Sequence, residues 1–324
     1  MPQPTKRDLF ISRPLTSVSL ALIQSMDNFV ARKVFPVIRT SKCQGSYYEY
    51  ARKQWMRSDA RKRAPGTESI GSGWDVSLGG TYDCQVRAIH KDIDDQIRSC
   101  ADDNFQLDKE ATMFVTRHLL LGQELDWAEQ FFKLGVWGNE ADVVANNPAD
   151  AWDLASSDPI TQMDDACNIV LADSGMEPNT LVVSNDVFKK LKNNAAIIDR
   201  IKFSERALIT EDILASVLGI DKLIVAKGIY DTTQEGGPVT PEYICRNGAL
   251  LMYVPPAAGL MTASAGYTFV WSGYIGANAE GLAMAKFRMQ ELRADRIEGE
   301  MAYDQKLVSA PCGFFFGNVL TPTP

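Results

Sequence analysis

The chain has 324 residues, 45% hydrophobic, 23% charged and 9% aromatic, a globular composition that excludes a disordered or collagen-like polypeptide. No run of eighteen apolar residues is present, and Met1-Pro2-Gln3-Pro4 leads into no apolar core, so neither a membrane span nor an ordinary export signal is predicted. The formal charge of −8 is unevenly spread: residues 1–65 hold 13 Lys+Arg against 4 Asp+Glu, and residues 66–324 hold 20 against 37.

From Lys133 to Lys189 no basic side chain intervenes, while ten carboxylates occur. A basic leading segment on an acidic body suits contacts between copies of the chain or a polyanion partner, with an ordinary uneven surface as the plain alternative.

In chain order, residues 1–45 read as an extended arm broken by Pro2, Pro4, Pro14 and Pro36. Between the prolines, Val18, Leu22, Met26, Phe29 and Val30 recur at helical spacing within Ser17–Val34, and this stripe needs a body to dock on. Tyr47 to Ala51 and Tyr82 to Val86 read as two strands joined by a long polar excursion with Pro65-Gly66, Gly71-Ser72-Gly73 and Gly79-Gly80, a protruding hairpin over 46–88.

Across residues 51–65 that excursion carries Arg52, Lys53, Arg57, Arg61, Lys62 and Arg63 against Asp59 alone, with Trp55 among them. The basic block suits an acidic neighbouring subunit; a solvated loop and direct nucleic-acid contact are the alternatives.

The strongest helical periodicity runs over 107–137. It predicts a packed line through Leu107, Ala111, Phe114, His118, Leu121, Leu125, Phe132 and Val136, and a second stripe through Leu120, Trp127, Phe131 and Leu134. Asp158-Pro159 opens a further helix ended by Ser174-Gly175. Thr180–Val183 predicts a buried strand, Ser184 caps a helix through Leu191, and Thr210 caps another over Glu211–Leu218. Strands Leu223–Ala226 and Tyr243–Cys245 flank an exposed loop at Asp231–Pro241, and Asn247-Gly248 predicts a turn before Leu250–Val254. Gly281 to Val308 alternates polar and apolar residues, as long strands do.

Little in this sequence points to chemistry. The six cysteines stand far apart with no C-x-x-C, which suits reduced cytoplasmic thiols. Of the two histidines, His118 falls on the predicted packed line and His90 at a polar junction. Asp92/Asp94/Asp95, Asp102/Asp103 and Asp164/Asp165 lack calcium-loop spacing, and no phosphate-cradling loop is present. No catalytic residue, metal ligand or cofactor is predicted, and an acid-dyad hydrolase is the enzymatic rival.

The order of parts resembles a tailed-phage major capsid protein, with the α+β shell fold named after phage Hong Kong 97. The resemblance rests on Arg13-Pro14-Leu15-Thr16, Phe29-Val30-Ala31 through Val34-Phe35-Pro36, Arg63-Ala64-Pro65-Gly66, Leu107 through Thr112, and Asn179 through Ser184 followed by Val187-Phe188. It implies an N-arm at 1–45 and an extended loop at 46–88. A peripheral domain at 89–184 and 276–324 would hold the spine helix at about 107–137, and an axial domain would take 185–275, its 231–241 loop toward the capsomer axis.

It further implies a structural protein that self-assembles as hexamers and pentamers around double-stranded DNA, in a virion built in the host cytoplasm. Portal, scaffolding and decoration proteins are the expected partners, and no membrane is involved. Inter-subunit contact falls to Arg52, Lys53, Trp55, Arg57, Arg61, Lys62 and Arg63, arm docking to Val18, Leu22, Met26 and Phe29, and spine packing to Leu107, Phe114, His118, Leu125 and Phe132. An encapsulin-like compartment shares the fold and is the second reading.

Overall fold

Two five-stranded sheets organise the protein, and each gathers strands from distant parts of the chain. The structure, a computed structural model, describes residues 25–50, 52–101, 106–202, 210–234, 236–259, 262–273 and 281–322.

A 3-10 turn at Met26–Asn28 and the short helix α1 (Ala31–Val34) lead into β1 (Val37–Thr40). β2 (Gln44–Tyr50) and β3 (Val76–Asp83) pair as an antiparallel hairpin, and the one-turn helix α2 (Arg52–Trp55) follows β2 at its outer end. Cys84 alone separates β3 from β4 (Gln85–Asp94), and Asp94 then caps α3 (Asp95–Cys100) by accepting from the Gln96 N–H.

The long helix α4 (Leu107–Phe131) is rich in strong helix formers, and Asp108 and Glu110 face the positive end of its dipole. It stops short of the predicted Trp137 because the chain turns back there. Gly135 takes φ +84°, and the Trp137 indole donates to the Phe131 carbonyl at 2.7 Å.

β5 (Asn139–Asp142) and α5 (Val143–Asn146) precede α6 (Pro159–Ser174). Asp158 caps α6 through the Ile160 and Thr161 N–H groups, and Gly175 ends it at φ +73°. There follow β6 (Thr180–Ser184), α7 (Asn185–Leu191), α8 (Ala195–Ile201), α9 (Glu211–Val217) and β7 (Lys222–Ala226). A small hairpin of β8 (Ile229–Asp231) and β9 (Pro241–Tyr243) leads to β10 (Gly248–Met252) and β11 (Gly266–Trp271). The long strands predicted near the C-terminus are β12 (Leu282–Met289) and β13 (Ala294–Leu307), joined through Arg293 at φ +47°, before β14 (Gly313–Gly317).

The first sheet runs β1-β11-β13-β12, with β4 also paired to β13. β13 is its hub: β4 lies along one edge over Ala294–Tyr303, while β12 and then β11 take the other. The N-terminal half of α4 packs on this sheet through Ala111, Val115 and Leu119, against Ile297, Met301 and Tyr303.

The second sheet runs β5-β14-β10-β6-β7, and its central strands β14, β10 and β6 are buried at every residue. Strand periodicity splits those residues between two cores. Leu181, Val183, Ala249, Leu251, Phe314 and Phe316 join the side of α6, α7, α8 and α9, while Val182, Leu250, Met252 and Phe315 meet α1 and the end of α4. This sheet combines strands from the segments read as peripheral (β5, β6, β14) and axial (β7, β10).

Candidate assembly interface

The arm joins the body at Val30. Helix starts leave N–H groups without partners, and here a carboxylate from another element supplies the acceptor. The Val30 N–H lies 2.8 and 2.9 Å from the two oxygens of Glu124, and the Ala31 N–H lies 2.8 Å from Oε2. Glu124 projects from α4 and is 1% exposed. Burial pushes its carboxyl up to about 7, against the opposing pull of the two backbone donors and Lys33.

Beneath this contact, Val30, Ala31, Val34 and Phe35 are buried against Trp127 and Phe131, the Phe35 and Phe131 ring centres 4.9 Å apart. A Cβ on Gly266 would stand 2.4 Å from the Phe35 ring, so the strand admits the ring only where a side chain is missing. Of the residues predicted to dock the arm, only Met26 and Phe29 fall among the described residues. Met26 is exposed and Phe29 half-buried, whereas Val18 and Leu22 lie outside the described residues. Extended backbone at Phe29 (ψ 137°) separates the 3-10 turn from α1, so a single helical stripe does not continue through it.

The hairpin is anchored at its root and bare at its end. At the root, Tyr47 and Tyr82 stack on Phe269 with ring centres 5.8 and 4.6 Å away, beside buried Cys84 and Tyr267. Farther out, Tyr48, Val76, Leu78, Ile70 and Trp74 are exposed. Trp55 is 54% exposed, with its ring 5.8 Å from Trp74 and edge-on to Tyr50 at 6.1 Å. Lys53, Arg57, Arg61, Lys62 and Arg63 are all exposed; Arg57 pairs with Asp59 at 2.8 Å, and Arg63 donates to the Thr67 carbonyl. The Arg52 side chain lies outside the described residues.

The long helix packs on a different line from the predicted one. Phe132 is buried against Phe315, Leu107 packs beside Ile93 and Ile297, and Leu125 is half-buried. Phe114 and His118 instead face outward with their rings 4.3 Å apart, and Phe114 is 47% exposed. The buried row is Ala111, Val115, Leu119, Gln123, Glu124, Trp127, Ala128 and Phe131. Its smaller N-terminal members let the helix approach the sheet closely: a Cβ on Gly299 of β13 would lie 2.4 Å from Val115 Cγ1. Bulk drew the predicted line toward Phe114, whereas the close contact selects small side chains.

Of the acidic residues weighed as a hydrolase site, Asp92, Asp94 and Asp95 are engaged structurally, Asp164 and Asp165 are exposed on α6, and Asp102 and Asp103 lie outside the described residues. Asp92 receives two bonds from Arg296 at 2.7 and 2.8 Å, Asp94 caps α3, and Asp95 pairs with Arg288. Arg98 and Lys286 hold Asp108 at 2.7 and 2.8 Å, and these hydrogen bonds lower its carboxyl to about 2. Together these pairs tie α3 and α4 to β12 and β13. Among the described residues no group of three or more His, Cys, Asp or Glu side chains is placed to hold a metal.

No family model matches the chain. In sequence it is 23% identical to the major capsid protein of Burkholderia phage BcepMu over 222 residues, 65% of this chain and 68% of that protein. In structure it matches a phage-related protein from Bordetella bronchiseptica RB50 with TM-score 0.71 and 17% identity, covering 91% of this chain and 94% of that one. The capsid of cyanophage P-SCSP1u follows at TM-score 0.64 and 13% identity, covering 96% and 93%. The chain has the Hong Kong 97-type shell fold.

The SrpI encapsulin of Synechococcus elongatus PCC 7942 also matches in structure, at TM-score 0.58 and 10% identity, over 94% of this chain and 93% of that one. Within the shell fold, the Glu124 contact is the feature that sequence reading missed. Its signal was a carboxylate at a position flanked by the buried Gln123 and Trp127, with no Lys or Arg three or four residues away on its helix to pair with it.

Proposed function

We propose that this chain is the major capsid protein of a tailed double-stranded DNA phage, self-assembling into the icosahedral shell that encloses the genome. The observation that carries the reading is the conjunction of a named major capsid relative with a shell fold whose hairpin leaves Trp55, Trp74, Leu78 and Tyr48 uncovered. Large apolar side chains so exposed on a protruding element mark a surface meant for another molecule.

In this reading the hairpin carries inter-subunit contact through Trp55 and the basic side chains Arg52, Lys53, Arg57, Arg61, Lys62 and Arg63. Residues 89–184 and 276–324, with the long helix α4, form the peripheral domain, and residues 185–275 the axial domain, the second sheet drawing strands from both. Hexamers and pentamers form the shell, DNA lies against its inner face, and portal, scaffolding and decoration proteins are separate chains. The protein acts without catalysis or cofactor, and its place is the virion, assembled in the host cytoplasm.

Size-exclusion chromatography and negative-stain imaging of the purified protein test the reading. Closed particles that carry DNA when isolated from infected or induced cells are expected. A protein that stays monomeric at every salt concentration and pH tried would overturn it, and particles enclosing a cargo enzyme in place of DNA would assign the chain to the encapsulin type.

A further inference from the structure

Cys43 and Cys84 face each other where the hairpin leaves the body. β2 and β3 pair from Gln44 opposite Asp83, and the ladder continues one step toward the body, where the Cys84 N–H donates to the Cys43 carbonyl at 2.8 Å. Residues directly opposite in an antiparallel pair have Cα atoms about 4.5–5.5 Å apart, inside the roughly 4.4–6.8 Å that a disulfide spans.

The face they share is fixed by the strand period of two. Cys43, Gly45 and Tyr47 alternate onto one face of the first strand, and Cys84, Tyr82 and Gly80 onto the same face of the second. Two close approaches confirm this. A Cβ on Gly45 would lie 2.4 Å from the Tyr82 hydroxyl, and one on Gly80 would lie 2.5 Å from that of Tyr47, so each tyrosine lies over the glycine opposite. Continued one pair toward the body, the same arrangement sets the two cysteines side by side. Cys84 is buried and Cys43 half-buried, and both are thiols in the structure.

We propose that Cys43 and Cys84 form a reversible disulfide that staples the root of the hairpin when the protein leaves a reducing compartment. The oxidant is a small-molecule disulfide such as oxidised glutathione. The Cys43 thiolate attacks one of its sulfurs, forming a mixed disulfide and releasing one glutathione thiol. The Cys84 thiolate then attacks the Cys43 sulfur, the protein S–S bond forms, and the second glutathione thiol departs. Two protein thiols lose two electrons and two protons, which the oxidant carries away as two thiols.

Burial holds the Cys84 thiol at about 11 and its Sγ–H is directed at the Phe269 carbonyl at 3.6 Å, so the second step is slow near neutrality and accelerates with pH. The inference rests on strand register and is independent of the proposed shell function.

The test treats the full-length protein with oxidised glutathione at pH 8, then counts free thiols after denaturation. A second aliquot is nicked by limited trypsin in the exposed Arg57–Arg63 stretch and run on a denaturing gel without reductant. Two of the six cysteines are expected to be lost from the count, and the two tryptic fragments are expected to stay joined until reductant is added. Cys43→Ser and Cys84→Ser should each let the fragments separate. If either variant fails to fold, peptide mapping of the oxidised wild type decides alone by recovering a linked Cys43–Cys84 pair. Six remaining thiols, a lasting glutathione adduct on Cys43, or linkage of any other pair would overturn the proposal.

Discussion

Two carboxylates on α4 are perturbed in opposite directions, and their pH signatures separate. Glu124, with an ordinary value of 4.5, is held near 7 by burial. Its neutral form is the one that folding favours, so its contribution is complete below about pH 4.5 and is lost as pH rises through 7. A shift of that size corresponds to roughly 3 kcal/mol. Denaturant unfolding should therefore show stability declining between pH 5 and 8, and Glu124→Gln should flatten that decline; an unchanged decline in the variant would place its origin elsewhere. Asp108 is held near 2 by Arg98 and Lys286, so its contribution is present above about 3.8 and disappears as pH falls through 2. The pair is 36–43% exposed on its Arg98 and Asp108 side chains, so solvent screening keeps the effect of Asp108→Asn within about 1 kcal/mol at neutral pH.

At the scale of elements, periodicity and caps disclosed much of the fold, and packing choices remained hidden. Asp158-Pro159 and Ser174-Gly175 bracketed α6, and Thr180–Val183 emerged as β6, because these signals are local. The buried line of α4 was misjudged at Phe114 and His118 because it depends on a glycine almost two hundred residues away in β13, which no window around the helix contains. The same distance hid Glu124, whose partners belong to the arm. A direct check is Gly299→Val, whose side chain would meet Val115 and Leu119. It should cost about 1–3 kcal/mol by overpacking, read as a lower unfolding midpoint. For the hairpin, reversing Arg61, Lys62 and Arg63 together to Glu should leave the unfolding midpoint unchanged, because all three are exposed, while cutting particle yield on sedimentation. Exposed pairs contribute only about 0–1 kcal/mol each, so the loss should grow at low salt, where like charges are least screened. Normal yields at low and moderate salt would remove this loop's charge from assembly.

For the whole molecule, the described part of the arm reaches into the core. Val30, Ala31, Val34 and Phe35 are buried in the core beside α4 and the second sheet, so deleting residues 2–35 should destabilise the subunit itself, and Phe35→Ala alone should cost about 3–5 kcal/mol. Deleting only residues 2–24 should leave a folded chain by circular dichroism that fails to close particles; normal particles from that truncation would show the leading segment dispensable. The distinction matters because the longer deletion cannot report on assembly at all.

The hub position of β13 has a mechanical consequence. The hairpin passes through a single residue into β4, and β4 is bonded to β13 over ten consecutive register pairs, from Gln85 opposite Tyr303 to Asp94 opposite Ala294. A tug along the strand axis loads those rungs in parallel, so they must give way together. A sideways pry at the root is met first by the Tyr47 and Tyr82 stack on Phe269 and by the Asp83 N–H bond to Asp304. The junction therefore behaves as a strap that refuses to lengthen, with the ring stack at its root bracing it against sideways load.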